Sequence, residues 1–273
     1  MKVLVVDHAK CNGCYNCQVA CKDEHCGNDW SPIAKPQPLT GQFWLKLNET
    51  TRGSIPRVRV SYSPLLCQHC DDAACIKAAP DAIYKRDDGL VIIDPEEASG
   101  RADIVESCPY GVIYWNDELG LAQKCTGCAH LLDRGWKEPR CVEVCPTDAL
   151  VFGEEEDLKD KIAEAEVLHP ELATRPRVYH LNVPKKFVAG GVYDPVADEV
   201  IEDATVTLTA AAGGETRTLK SDGFGDFWFE GLEVGEYSLT IAAEGFAKAT
   251  IAGIRTDSDV NLGDTPLKTQ EAK

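Results

Sequence analysis

The apolar positions along this chain follow two different rhythms. Met1-Lys2-Val3-Leu4-Val5-Val6-Asp7 is a short apolar run that meets a charge at once, and it predicts the first strand of the fold. The run is too short for a signal-peptide core. No stretch of about 18 apolar residues occurs anywhere, so no membrane-spanning segment is expected. Glu154-Glu155-Glu156-Asp157-Leu158-Lys159-Asp160-Lys161 places acids before lysines, the order a helix dipole favours, and predicts a helix over roughly 154–167. Pro170 and Arg175-Pro176-Arg177 end it and open an extended stretch, Val178-Tyr179-His180-Leu181.

Beyond that stretch the period becomes two. Thr205-Val206-Thr207-Leu208-Thr209 and Glu236-Tyr237-Ser238-Leu239-Thr240-Ile241 alternate polar and apolar positions, with Phe227-Trp228-Phe229 between them inside Gly-rich turns. Short strands separated by such turns predict an antiparallel β-sandwich over 183–273. Its inward set is Val206, Leu208, Phe227, Phe229, Tyr237, Leu239 and Ile241, and the pair Gly190-Gly191 reads as a turn. This part contains no cysteine, which suits a scaffold or docking domain.

The chemistry lies before it. Twelve of the thirteen cysteines form three sets of four. The first run is Cys11, Cys14, Cys17 and Cys21. The second is Cys67, Cys70 and Cys75, completed by Cys108 before Pro109. The third is Cys125 and Cys128, then Cys141 and Cys145 before Pro146. Four thiolates hold one [4Fe–4S] cube, and in two-cluster ferredoxins the fourth cysteine of a run serves the other cube. That swap assigns Cys11, Cys14, Cys17 and Cys145 to cluster A. Cluster B takes Cys21, Cys125, Cys128 and Cys141, and cluster C takes Cys67, Cys70, Cys75 and Cys108. Structural zinc also uses C-x2-C pairs. Four ligands packed between Cys11 and Cys21, and the Cys-Pro endings, favour iron–sulfur.

Cys108-Pro109-Tyr110-Gly111-Val112-Ile113 and Cys145-Pro146-Thr147-Asp148-Ala149-Leu150 repeat one pattern: ligand, proline turn, strand onset. A third copy, Ala79-Pro80-Asp81-Ala82-Ile83, has alanine at the ligand position. The matching upstream positions before Cys108 are Ala98, Arg101 and Ile104, none of them cysteine. All four ligands of one cube are therefore missing together, the mark of a site deleted as a unit. The repeats predict a duplicated ferredoxin-like domain over 1–182, making the whole chain α+β. Cys26 reads as a bystander thiol. His25 and His69, beside ligands, read as hydrogen-bonding or packing groups that tune potential. Trp30, Trp115 and Trp136 read as packing around the cubes.

The net charge of -17 argues against nucleic acid or an anionic membrane face, and it suits docking to a basic groove on a partner protein. Clustered cysteines without an export address point to the reducing cytoplasm. No phosphate-binding loop, flavin or nicotinamide fingerprint, or catalytic triad is present. The chain has wiring but no substrate centre, which calls for a partner that holds the chemistry.

The run order, the Ala79 gap, Cys108-Pro109-Tyr110-Gly111-Val112-Ile113-Tyr114-Trp115-Asn116, Gln123-Lys124-Cys125-Thr126-Gly127-Cys128-Ala129-His130 and Arg175-Pro176-Arg177-Val178-Tyr179 resemble a known family. It is the iron–sulfur subunit family of dimethyl sulfoxide reductase-class molybdopterin enzymes, and the resemblance carries over residues 1–182. The remainder resembles a transthyretin-like or carboxypeptidase-regulatory-like β domain, which ordinary members lack. The combination is most similar to the branch serving phenol hydroxylases and transhydroxylases. The resemblance implies three [4Fe–4S] clusters here and a large catalytic partner, in a heterodimer, that alone carries molybdopterin with molybdenum or tungsten. Alternatives are the electron-transfer subunit of a respiratory reductase or dehydrogenase, or a free-standing polyferredoxin.

Overall fold

The opening apolar run becomes strand β1 (Lys2–Asp7), whose Val3, Leu4, Val5 and Val6 are buried. The computed structural model describes residues 1–211 and 213–270. It divides into two units, one made of Met1–Glu49 and Tyr62–Val183, the other of Thr50–Ser61 and the chain from Pro184 onward.

In the first unit, β1 is followed by α1 (Asn16–His25) and by the hairpin β2 (Lys46–Ser54) and β3 (Arg57–Leu65), whose tip belongs to the second unit. Next come α2 (Ala74–Ala78), the hairpin β4 (Ile83–Lys85) and β5 (Val91–Ile93), a 3₁₀ turn over Ala102–Ser107, and the hairpin β6 (Tyr114–Asn116) and β7 (Leu121–Gln123). Two short helices, α3 (Ala129–Leu132) and α4 (Arg140–Glu143), precede β8 (Leu150–Glu154), α5 (Lys159–Glu164) and β9 (Val178–Leu181). β1 is the centre of a three-stranded sheet, antiparallel to β8 and parallel to β9. The extended reading of Val178–Leu181 corresponds to β9.

The helix expected over 154–167 is shorter than the charge order suggested. Glu154 closes β8, paired with Lys2 in register and bound by the N-terminal ammonium and Lys2. At the far end Glu166 bridges His180 through the backbone. Sheet pairing at both ends thus outcompetes helix propensity and leaves only Lys159–Glu164 helical.

The second unit is built from β10 (Lys186–Asp194), β11 (Glu199–Val200), β12 (Thr205–Ala210), β13 (Thr216–Lys220), β14 (Asp226–Leu232), β15 (Glu236–Ala242), β16 (Ala249–Arg255) and β17 (Val260–Pro266). One sheet runs β11-β10-β14 with β17 also on β10, and the other runs β13-β12-β15-β16. Val206, Leu208, Phe227, Phe229, Leu239 and Ile241 share its core, with Tyr237 partly buried against them. Among the described residues, the pairings of these strands are antiparallel except β10 with β17, which is parallel. Gly190 and Gly191 are not a turn: they lie buried inside β10. A Cβ on Gly190 would stand 2.6 Å from Phe227 Cζ, and one on Gly191 would collide with Arg57 and Asp264. Close approach across the sheet, not chain reversal, requires them.

Among the described residues no helix is long and apolar enough to cross a membrane.

Candidate functional site

Helix α1 carries Cys17 and Cys21, four residues apart and so about 6 Å along the axis on one face. α4 packs against α1 and carries Cys141, with Cys145 four residues on, just past its end. This matched pair distributes its thiols between two groups. Burial pushes Cys17 up to about 11, with Cys11, Cys14 and Cys145 as its like-charge neighbours. Burial pushes Cys21 well above its ordinary value, and its neighbours are chiefly Cys125 and Cys128. Cys141, also raised by burial, feels Cys128, Cys125 and Cys21. A third group forms around Cys70, pushed up to about 11 by burial, with Cys67, Cys75 and Cys108 beside it. Neighbours also cross between the expected sets: Cys125 has Cys67 beside it, and Cys21 and Cys141 feel Cys17.

The quartets differ in access to water. Cys21, Cys125, Cys128 and Cys141 are all buried, whereas Cys14 is exposed and Cys11 and Cys145 are half-buried. In the third quartet Cys67 and Cys75 are buried, and Cys70 and Cys108 are half-buried. Cys145 differs from the thiols that burial raises. Its burial acts to raise it, but backbone N–H groups of Thr147 and Leu150 and the Thr147 hydroxyl hold it below its ordinary value.

The donor set suits sulfur-rich clusters. The fully buried quartet surrounds an apolar cavity also lined by His25, His69 and Thr126. Among the described residues, His25 Nε2 and Thr126 Oγ1 are buried there without a hydrogen-bond partner. Cys67, Cys70, Cys75 and Cys108 line a second cavity. The C-x2-C turns aim amides inward: His69 N–H donates to Cys67 Sγ and Gly127 N–H to Cys125 Sγ, both at 3.4 Å. Among the described residues, no three His, Cys, Asp or Glu side chains converge as one ion would require. Thiols spread around a cavity fit a polynuclear cluster better than a single zinc.

His69 is hydrogen-bonded beside a candidate ligand. Its Nδ1 accepts the Val91 N–H at 2.9 Å, which leaves the proton on Nε2, 4.0 Å from Cys125 Sγ. Burial, then Lys124 and Lys85, hold its ring well below the usual range, so it is neutral. His25 is lowered to about 4 by burial, and Nδ1–H donates to the Cys21 carbonyl at 2.9 Å. Cys26 lies outside the three quartets and is half-buried. Trp30 stacks on His130 with ring centroids 4.4 Å apart, and Trp115 packs on the second apolar cluster. Trp136 departs from expectation: it is exposed, lying near the Arg140 guanidinium.

Ala79 follows α2, four residues after Cys75, and Ile104 precedes Cys108 by four, repeating the spacing of α1 and α4. Ala79, Ala98 and Ile104 are buried in one apolar cluster with Ala82, Ile83 and Ile113. Arg101 turns outward to Asp81 and Asp103. Apolar side chains fill the space around Ala79, Ala98 and Ile104.

Lys124, Thr126, the His130–Glu24 pair (3.0 Å) and the buried Trp44 were not singled out from the sequence. Lys124 and Thr126 flank Cys125, and that adjacency was the available signal. Trp44 follows a Pro- and Gly-containing loop and carried none.

Residues 58–155 match the family described as a 4Fe-4S dicluster domain, and 188–266 match a carboxypeptidase regulatory-like domain. The chain is 40% identical to the pyrogallol hydroxytransferase small subunit of Pelobacter acidigallici, over 95% of this chain and 97% of that one. It is 31% identical to the arsenate respiratory reductase iron–sulfur subunit of Shewanella sp. strain ANA-3, over 66% of this chain and 95% of the other. A tetrathionate reductase subunit of Salmonella typhimurium is 33% identical over 68% and 74% of the two chains.

Proposed function

We propose a function from the premise that this chain belongs to the iron–sulfur subunit family of dimethyl sulfoxide reductase-class molybdopterin enzymes. As an electron-transfer subunit, it relays single electrons to or from a large catalytic partner that carries molybdopterin with molybdenum or tungsten. The complex is cytoplasmic and hydroxylates or transhydroxylates phenolic rings. The phenolic reading is supported by coverage. The pyrogallol hydroxytransferase subunit matches the chain almost throughout, while the two reductase subunits match about two thirds of it.

The reading is supported by three sets of four cysteines in the sequence and by thiols that line two cavities of the first unit. Cys11, Cys14, Cys17 and Cys145 hold cluster A. Cys21, Cys125, Cys128 and Cys141 hold cluster B, and Cys67, Cys70, Cys75 and Cys108 hold cluster C. A [4Fe–4S] cube supplies a one-electron couple when bound. The protein's part is to hold it, exclude water and point N–H groups at sulfur. Burial of all four thiols dries the B site most. The Cys67 and Cys125 turns supply amide donors, and sharing of α1 and α4 between two quartets keeps A and B adjacent.

Anaerobic purification is expected to yield about twelve irons per chain, together with a much larger chain bearing molybdenum or tungsten. Near-zero iron with stoichiometric zinc would overturn the cluster reading. A lone chain would overturn the partner. A complex that reduces arsenate or tetrathionate and leaves phenols untouched would overturn the substrate class.

A further inference from the structure

Lys124 lies beside cysteines of two of the proposed quartets and, among the described residues, forms no ion pair. It is 3% exposed, on the segment that joins β7 to Cys125. Its ammonium donates to the carbonyl oxygens of Val91 and Cys125. Among the described residues no carboxylate lies within ion-pair reach of it. Lys85, which bonds the His69 and Cys70 carbonyls, differs in having Asp71 at 2.9 Å.

A buried ammonium without a counter-charge is costly, and proteins that keep one supply the opposite charge nearby. The groups beside Lys124 that become anionic are candidate ligand cysteines, as thiolates on a bound cube. Its charge acts on Cys75 and Cys108 of one quartet and on Cys125 of the next. Lys124 also lines the cavity of the Cys67, Cys70, Cys75 and Cys108 quartet. The Val91 backbone is held on both sides, its N–H by His69 and its carbonyl by Lys124, which fixes the cation in place.

We propose that Lys124 is the built-in counter-ion of clusters C and B. Its fixed charge favours their reduced forms, and it acts more strongly on C. The inference rests on the cluster assignment above. A cube held by four thiolates is net negative and becomes more so on reduction, so a nearby cation stabilises the reduced form more. Lys124 is a positioning residue for charge; it carries no electron.

The test is a potentiometric titration followed by electron paramagnetic resonance, with iron analysis, on the full chain purified anaerobically. Lys124→Met removes the charge and keeps the stem; Lys124→Arg keeps the charge. In the Met variant, one couple should lose at least about tenfold in its reduction equilibrium constant, equivalent to 59 mV for one electron. A second couple should shift less, and the third should stay put. The Arg variant should remain near the parent. If the Met variant fails to load iron and the Arg variant loads, the requirement for charge is also met. Unchanged potentials in a fully loaded Met variant would overturn the proposal. So would equal shifts in both variants, or failure of both to load, since shape would then be the cause. A parent chain that carries iron separates these outcomes from failure of the cluster reading; one without cubes sinks both.

Discussion

His8 and His180 meet inside the first unit, Nε2 to Nδ1 at 3.0 Å, and His8 Nδ1 lies 3.3 Å from the Tyr62 carbonyl. The network orients itself if His180 donates to His8 and His8 donates to Tyr62, with both rings neutral. Burial lowers His180 from 6.5 to about 3, and His8 is lowered for the same reason. A histidine depressed in the folded state lets the unfolded chain bind the proton first. Its stabilising contribution is complete above pH 6.5 and is lost as pH falls toward about 3. Each unit of pH in that window costs up to about 1.4 kcal/mol. His180→Gln, which cannot titrate, should flatten the acid limb of the thermal stability curve between pH 6.5 and 5. An unaltered limb would mean that other groups set it. At this scale the cysteine runs were legible in the sequence and their surroundings were not. Spacing within a run is local, so candidate ligands could be picked out along the chain. Lys124 becomes buried beside Val91 through β5, and Trp44 reaches His25 (ring centroids 4.6 Å) only in three dimensions. No one-dimensional pattern records such meetings.

Elements repeat more faithfully than residues do. α1 with α4, and α2 with the 3₁₀ turn before Cys108, offer side chains four apart on paired helical segments. In the first pair all four such positions are thiols. In the second, Ala79 and Ile104 replace two of them and pack into an apolar core. The alanine gap was visible in sequence because its proline turn survived at Pro80. The filling was not visible, because it depends on Ala98 and Ile104 reaching the same cluster. The charged segment after β8 misled for the opposite reason: its local order favoured a helix, but pairing of Glu154 with Lys2 claimed the start. Gly190 misled likewise, since a glycine needed for close approach looks like one needed for a turn. Gly190→Ala should therefore cost about 1–3 kcal/mol by overpacking against Phe227. The denaturation midpoint should fall at constant m-value. An unchanged midpoint would show that Phe227 moves aside freely.

For the molecule as a whole, the unexpected element is the hairpin of β2 and β3. Its tip, Thr50–Ser61, belongs to the unit that otherwise begins at Pro184. Arg57, 5% exposed, holds Asp226 at 2.5 Å and Asp264 at 2.6 Å, and Arg52 holds Asp259 at 2.7 Å. Arg59 lies over the Trp228 ring, 3.8 Å from its centroid. A period-two reading that began near 183 could not see it, because the hairpin lies among the cysteine runs. Arg57→Met should destabilise the second unit by about 1–3 kcal/mol, less than a fully buried pair because Asp226 and Asp264 keep some access to water. Tryptic cleavage at Arg52 and Arg59 should accelerate, and an unaltered cleavage rate would show that the tip is held without Arg57.

The hairpin also sets an order of assembly. Translation delivers residues 50–61 long before the strands that receive them. Until the last third of the polypeptide has emerged, Arg52 and Arg57 wait without their acids. A messenger cut short after residue 183 would yield not an intact half but one with a loose end in its middle.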